Sequence, residues 1–245
     1  MPIEILALLT AGILIVAFLY ASVGHAGASG YIAVMSLASL APAEIKPTAL
    51  VLNILVASIG TWQFWRAGHF SWRVFWPFAV LSMPMAFVGG YVALPTHVFK
   101  ILIGVVLLLS AAHFFWNPHV DEVRVEPSKP VAIGAGGLLG LFAGLTGTGG
   151  GIFLTPLLLV MRWAKTKTAS ATSALFILVN SISGLLGNFS STQKIPGFVV
   201  PLLFAAVVGG TTGAYFGSRR FAPSIIKRLL ATVLVIAGLK LVFTA

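Results

Sequence analysis

The residues of this sequence best suited to chemistry lie in two glycine-rich turns. One runs Ser22-Val23-Gly24-His25-Ala26-Gly27-Ala28-Ser29-Gly30, the other Gly144-Leu145-Thr146-Gly147-Thr148-Gly149-Gly150-Gly151. Each leads into a short apolar stretch, 30–41 and 151–161. Glycine admits positive φ and lets a ligand touch the backbone. A helix that starts at such a turn offers N–H groups with no partner inside the helix, at the positive end of its dipole. That combination holds an anion without a formal cation. The candidate substrate-binding groups are the glycines Gly27, Gly30, Gly147, Gly149 and Gly150, the hydroxyls of Ser29, Thr146 and Thr148, and His25, the one ionisable side chain in either turn. Asn53 and the Thr172-Ser173 pair join them at equivalent places in the segments that follow, with Asn180 and Gln63 further along. Each type also has a plain structural use. Small residues let membrane helices pack closely, Ser and Thr bond back to the i−4 carbonyl, and a histidine can cap a turn.

Such turns need elements to hold them, and composition says what those are. Of 245 residues, 58% are hydrophobic and 8% charged, with a mean hydropathy of +1.03. A soluble domain carries about 25% charged residues because its surface faces water. Here hydrocarbon must be the main solvent, and the chain is expected to be an all-α membrane protein. The net charge of +10 does not imply a nucleic-acid partner, since the lysines and arginines gather in short loops as the positive-inside rule expects. There is no cysteine, which excludes disulfides, thiolate metal sites and thiol catalysis. No cofactor, metal site or catalytic residue is expected, and the sequence leaves the oligomeric state open. A glycine-rich run without a following Lys-Ser/Thr is not a nucleotide loop.

A helix needs about 20 apolar residues to cross a bilayer. Segments of that kind fall near 3–22, 46–65, 72–94, 98–116, 131–145, 167–187, 198–218 and 224–244. Residues 3–22 lack a basic leader and are read as the first span, not a removable signal. The most polar stretch, 117–130, holds Asp121, Glu122, Arg124, Glu126 and Lys129. It divides the chain into a first membrane repeat, 1–116, a linker, 117–130, and a second repeat, 131–245. The repeats echo each other: Gly24, Gly27 and Gly30 recur as Gly144, Gly147 and Gly150, Thr48-Ala49 as Thr168-Ala169, and Leu52-Asn53 as Thr172-Ser173. Tyr91 after Gly89-Gly90 answers Tyr215 after Gly213-Ala214.

If each long-plus-short pair returns the chain to its starting side, every half adds an odd number of crossings and the halves are inverted. One side then receives Arg66, Arg73, Arg124, Lys129, Arg162, Lys165, Lys167, Arg219, Arg220, Lys227 and Arg228. The other receives Lys46, Lys100, Lys194 and Lys240. That asymmetry places both termini in the periplasm and the linker in the cytoplasm. Inverted repeats are a common build of secondary transporters, with the site at their interface. All five acids lie at the N-terminus, in the short-helix loop or in the linker. A cation transporter normally keeps a carboxylate inside the membrane.

The run Gly147-Thr148-Gly149-Gly150-Gly151 with Pro156, then Ala169-Ser170-Ala171-Thr172-Ser173, appears twice in degenerate form. In this and in its count of spans the whole chain resembles the sulfite exporter TauE/SafE family of membrane anion permeases. The first half departs from that pattern, with His25-Ala26 and Ala28-Ser29 among its glycines and Leu52-Asn53 for the Thr-Ser pair. The resemblance implies a transporter, not an enzyme, in the cell inner membrane, moving sulfite or an organosulfonate such as sulfoacetate, by export and alternating access. The residues alone supply only "small anion". A passive anion channel is the first alternative. An intramembrane enzyme is the second, though His25 lacks the carboxylate or nucleophile partner it would need.

Overall fold

The structure is a computed structural model that describes residues 3–38, 42–92, 127–192 and 197–243, with positions 40, 108, 111, 112, 123 and 125. Every element among the described residues is helical: α1 (Ile3–Ser22), α2 (Ala28–Leu37), α3 (Pro42–Arg66), α4 (Trp72–Tyr91), α5 (Lys129–Thr146), α6 (Gly151–Val160), α7 (Thr166–Thr192), α8 (Val199–Tyr215) and α9 (Pro223–Phe243). A π-helical turn, Phe216–Arg220, extends α8. Six of these helices are long and apolar enough to cross a membrane: α1, α3, α4, α5, α7, and α8 with its π-turn. Most of the expected segment 98–116 and most of the 117–130 linker lie outside the described residues. The first short helix starts at Ala28, earlier than the sequence pattern suggested. Its glycine turn is correspondingly tighter, and only His25, Ala26 and Gly27 stand between Gly24 and the helix.

Glycine rows determine which helices meet. Gly136, Gly140 and Gly144 of α5 step along Phe78, Ser82 and Ala86 of α4, in the same order. A Cβ on them would sit 2.1, 2.2 and 2.1 Å from the three carbonyl oxygens. Gly209, Gly213 and Gly217 step likewise along Leu14, Phe18 and Ser22 of α1, at 2.3, 2.2 and 2.0 Å. α4 therefore runs parallel to α5, and α1 to α8, with backbones in contact. Such spacing of small residues is how membrane helices approach closely where no hydrophobic force drives them together. α3 and α7 cross the middle in opposite directions: Leu50 faces Gly184, Asn53 bonds Ser181, and Gly60 faces Ala174.

One end of the bundle is tied by polar groups. His69, in the α3–α4 loop, and Lys167, at the start of α7, both reach the Ser218 carbonyl, at 3.0 and 3.4 Å. Burial, and more weakly the nearby Lys167, hold His69 below its ordinary pKa, against the opposing pull of its bond to Ser218. Arg219 donates to Gln63 of α3. Gln63, a candidate on sequence grounds, thus serves in the ties at this end of the bundle. Outward-facing aromatics, including Trp62, Trp65, Trp72 and Trp76, suit a lipid-facing surface near the headgroups.

The glycine rows lead to a paired prediction. Gly140→Ala places a methyl group against backbone that cannot step aside, and overpacking of this kind costs roughly 1–3 kcal/mol. Gly134→Ala, in the same helix but with nothing within 4 Å, should lose nothing. Thermal unfolding of both variants in detergent reads the difference; equal stability would show that the α4–α5 contact is not tight.

Candidate functional site

Both glycine turns are local consequences of how a helix ends. At the end of α1, Gly24 adopts φ +78. The His25 amide then reaches back to Tyr20 O at 2.8 Å and the Gly24 amide to Ala21 O at 3.1 Å. This is the paired closure of a helix C-terminus that a left-handed residue allows. Gly24 also lies flat on α7, where a Cβ would sit 2.3 Å from Ser170 O. At the end of α5, Gly147 (φ +73) closes with a single bond from its amide to Ala143 O at 2.9 Å. Gly149 and Gly150 continue at φ +74 and +81, and α6 begins at once, with Gly150 as its N-cap and no side-chain cap.

The first turn delivers His25 across the molecule. Its ring, 3% exposed, lies against the Gly151 backbone at the start of α6. Nε2 is 2.8 Å from Thr155 Oγ1, and Thr155 donates to Ser173 Oγ of α7 at 2.6 Å. A hydroxyl has one hydrogen, so Thr155 accepts from His25 Nε2–H, and Nδ1 is left with a bare lone pair. Nδ1 is buried and has no hydrogen-bond partner. The second turn meets α3 and α7: a Cβ on Gly149 would lie 2.7 Å from Ser181 Oγ, 2.7 Å from Ile177 Cγ2 and 3.1 Å from Asn53 Nδ2. Asn53 Nδ2 points to Ser181 Oγ at 3.4 Å. A buried track of polar groups thus runs His25, Thr155, Ser173, is interrupted by the apolar Ile177, and resumes past Gly149 with Ser181 and Asn53.

Of the expected site residues, His25, Asn53, Gly149 and Ser173 lie on this track, and Gly150 follows Gly149 against the Phe176 ring. The others stand apart from it. Ser29 bonds Tyr20 OH at 2.9 Å and Gly30 rests on Val16, both facing α1. Gly27 packs under the Tyr31 ring. Thr146 bonds back to Phe142 O at 2.7 Å and pairs with Thr148 at 2.8 Å, so these two hydroxyls finish the end of α5. At 100° per residue, Thr172 falls on the α7 face opposite Ser170 and Ile177, the side of Leu175 and Val179, which pack around Phe78.

Hydroxyl behaviour separates the interior from the rest. Thr10, Ser58, Thr146, Ser190, Thr212 and Thr232 all bond back to the i−4 carbonyl, the ordinary fate of such groups. Thr48, Thr61, Ser170 and Thr172 are buried with no partner at all. Sequence reasoning missed Thr155 and Ser181. The available signal was helical spacing: Thr155 is one turn beyond Gly151, and Ser181 is two turns beyond Ser173. It also placed no cation near the turns. The Lys46 stem lies 3.1 Å from a Cβ on Gly147, while its ammonium donates to Gly90 O at 3.2 Å, at the end of α4.

The comparisons with known proteins agree on a kind. The family model described as sulfite exporter TauE/SafE matches residues 8–241. The chain belongs to the TauE/SafE family. Among its relatives, "Probable membrane transporter protein y4hK" of Sinorhizobium fredii is 39% identical over 234 residues, covering 94% of this chain and 95% of that one. "Probable membrane transporter protein MJ0441" of Methanocaldococcus jannaschii is 21% identical over 212 residues, 78% and 76% of the two chains. "Probable membrane transporter protein YunE" of Bacillus subtilis is 26% identical over 187 residues, 68% of each. No solved structure matches. As a TauE/SafE protein with six candidate spans among its described residues, the chain is a multi-pass membrane protein of a transporter family.

The buried track makes its own prediction. Thr155→Val removes the acceptor of His25 Nε2–H and strands a buried donor, at a cost of about 1–3 kcal/mol. Thr212→Val, which removes a hydroxyl that only bonds back within its own helix, should stay within about 0.5 kcal/mol. Unfolding temperatures of the two variants should separate accordingly; equal shifts would show that the His25–Thr155 contact carries no stability.

Proposed function

We propose that this TauE/SafE protein is a secondary transporter. In this reading it carries a small sulfur-containing anion, sulfite or an organosulfonate such as sulfoacetate, out of the cell across the cytoplasmic membrane. Two inverted halves alternate access to a site between them, with both termini in the periplasm and the 117–130 linker in the cytoplasm. The observation that carries the reading is the reach of His25, from the first glycine turn, to Thr155 and Ser173 beside the second. One polar track is thereby shared by both halves. The helix directions support the inversion. α1 parallels α8, α4 parallels α5, and α3 opposes α7, which is the pattern of contacts expected when the halves exchange places under a two-fold axis in the membrane plane. The anion reading is supported by the uncapped N-terminus of α6 beside buried hydroxyls, and the sulfur by the family.

Two measurements test this. In detergent, a panel of sulfite, sulfonates, thiosulfate and carboxylates should raise the unfolding temperature for the sulfur oxyanions and leave it unchanged for the carboxylates. No shift with any sulfur anion would remove the substrate assignment. Reporter fusions at the C-terminus and within 117–130 should label opposite faces of the membrane; the same face for both would overturn the inverted topology. Counterflow in proteoliposomes distinguishes a carrier from a channel, since only a carrier accelerates exchange.

A further inference from the structure

The second glycine turn is bordered by side-chain acceptors. Asn53 and Asn180 are both 0% exposed. Asn180 Nδ2 donates to Phe176 O at 2.9 Å, which fixes the orientation of the amide and leaves its Oδ1 buried without a partner. Asn53 Nδ2 points to Ser181, and its Oδ1 is likewise buried and unpartnered. The two asparagines flank the turn. Asn53 and Ser181 border Gly149, and the Phe176 ring lies 2.9 Å from a Cβ on Gly150. On α7, Asn180 falls between the line of Ile177 that touches Gly149 and the line of Phe176 that touches Gly150. A third bare acceptor, His25 Nδ1, stands further along the same track.

These acceptors and the helix end make opposite demands. The start of α6 lies behind left-handed Gly150 with no side-chain cap and favours negative charge. Amide oxygens and an unprotonated imidazole nitrogen repel the oxygens of an anion and call for a hydrogen. A metal cation would satisfy them, but it would sit against the positive end of α6. A ligand that meets both demands has a negative group and an O–H or N–H of its own. We propose that the site at Gly149–Gly150 selects anions that carry a hydrogen-bond donor, namely a hydroxy- or amino-substituted sulfonate or a singly protonated oxyanion. This rests on the anion reading above and narrows its substrate class. A site built around bare acceptors discriminates sharply, because a ligand lacking the donor leaves those acceptors buried and unpaired.

The test compares two sulfonates of matched length, 2-hydroxyethanesulfonate and 1-propanesulfonate, by calorimetry on the full-length protein in detergent, with sulfite as a reference anion. The hydroxylated probe should bind at least about tenfold more tightly. In Asn180→Leu, which removes the acceptor at similar volume, the ratio should fall toward one; Asn53→Leu is the second variant should the first not fold. Equal affinities in the wild type, or binding of sulfite, with neither sulfonate, that strengthens as rising pH removes its proton, overturn the donor requirement and leave the anion reading intact. Binding of no anion at all overturns the anion reading itself.

Discussion

An unpaired backbone amide or carbonyl in hydrocarbon costs several kcal/mol, so irregular chain can exist at membrane depth only where protein or a watery cavity receives it. Both glycine turns of this TauE/SafE protein are irregular chain between helices, and the remaining architecture answers that constraint. Gly24 and His25 return hydrogen bonds to α1, Gly147 returns one to α5, and α3 and α7 wall the turns on either side. The polar side chains beside the turns come from three helices: Asn53 from α3, Thr155 from α6, and Ser173 and Ser181 from α7.

The constraint also explains why so many glycines are spent on contacts that bind nothing. A turn enclosed by four helices leaves little room, and the backbones must approach to the limit of contact to close around it. Gly89 of α4 and Gly187 of α7 meet neighbouring backbone as tightly as the rows on α5 and α8 do. The fit is looser at the crossing of α3 and α7, where Gly60 faces Ala174 at 3.7 Å. Tightness is concentrated around the turns and along the seams between the two halves.

Much of the fold was legible from composition and spacing. The spans at 3–22, 72–94 and 131–145 fall within three residues of α1, α4 and α5, because an uninterrupted apolar run of bilayer length has one stable form. The existence of the turns was legible too, since glycine clusters have few other uses inside a membrane. The partners of each candidate were harder to read. Ser29 and Thr148 sit in the turns by sequence but face α1 or finish α5, because a turn's side chains diverge and only the geometry says which diverge inward. Thr155, Ser181 and Lys46 are separated from His25, Asn53 and Gly147 by more than a hundred positions in each case, and no periodicity within one helix reports a neighbour on another. Thr172 shows the limit of the repeat: Ser173 shares the seat of Asn53, and the hydroxyl beside it turns the other way by 100°.

The glycine rows have a consequence for what each half is by itself. The row on α5 is covered by α4, and the row on α8 by α1, so every close-packed seam joins one half to the other. A half taken alone would present a strip of bare helix backbone to lipid, with its complement on the missing piece. None of the residues that form these seams belongs to 117–130, and the information for docking resides in the matching strips. Two separate chains cut between Tyr91 and Ser128 would carry both glycine rows, on α5 and α8, in one piece and both complementary strips, on α4 and α1, in the other, and their reunion would be a matter of surface recognition between membrane helices, independent of chain continuity.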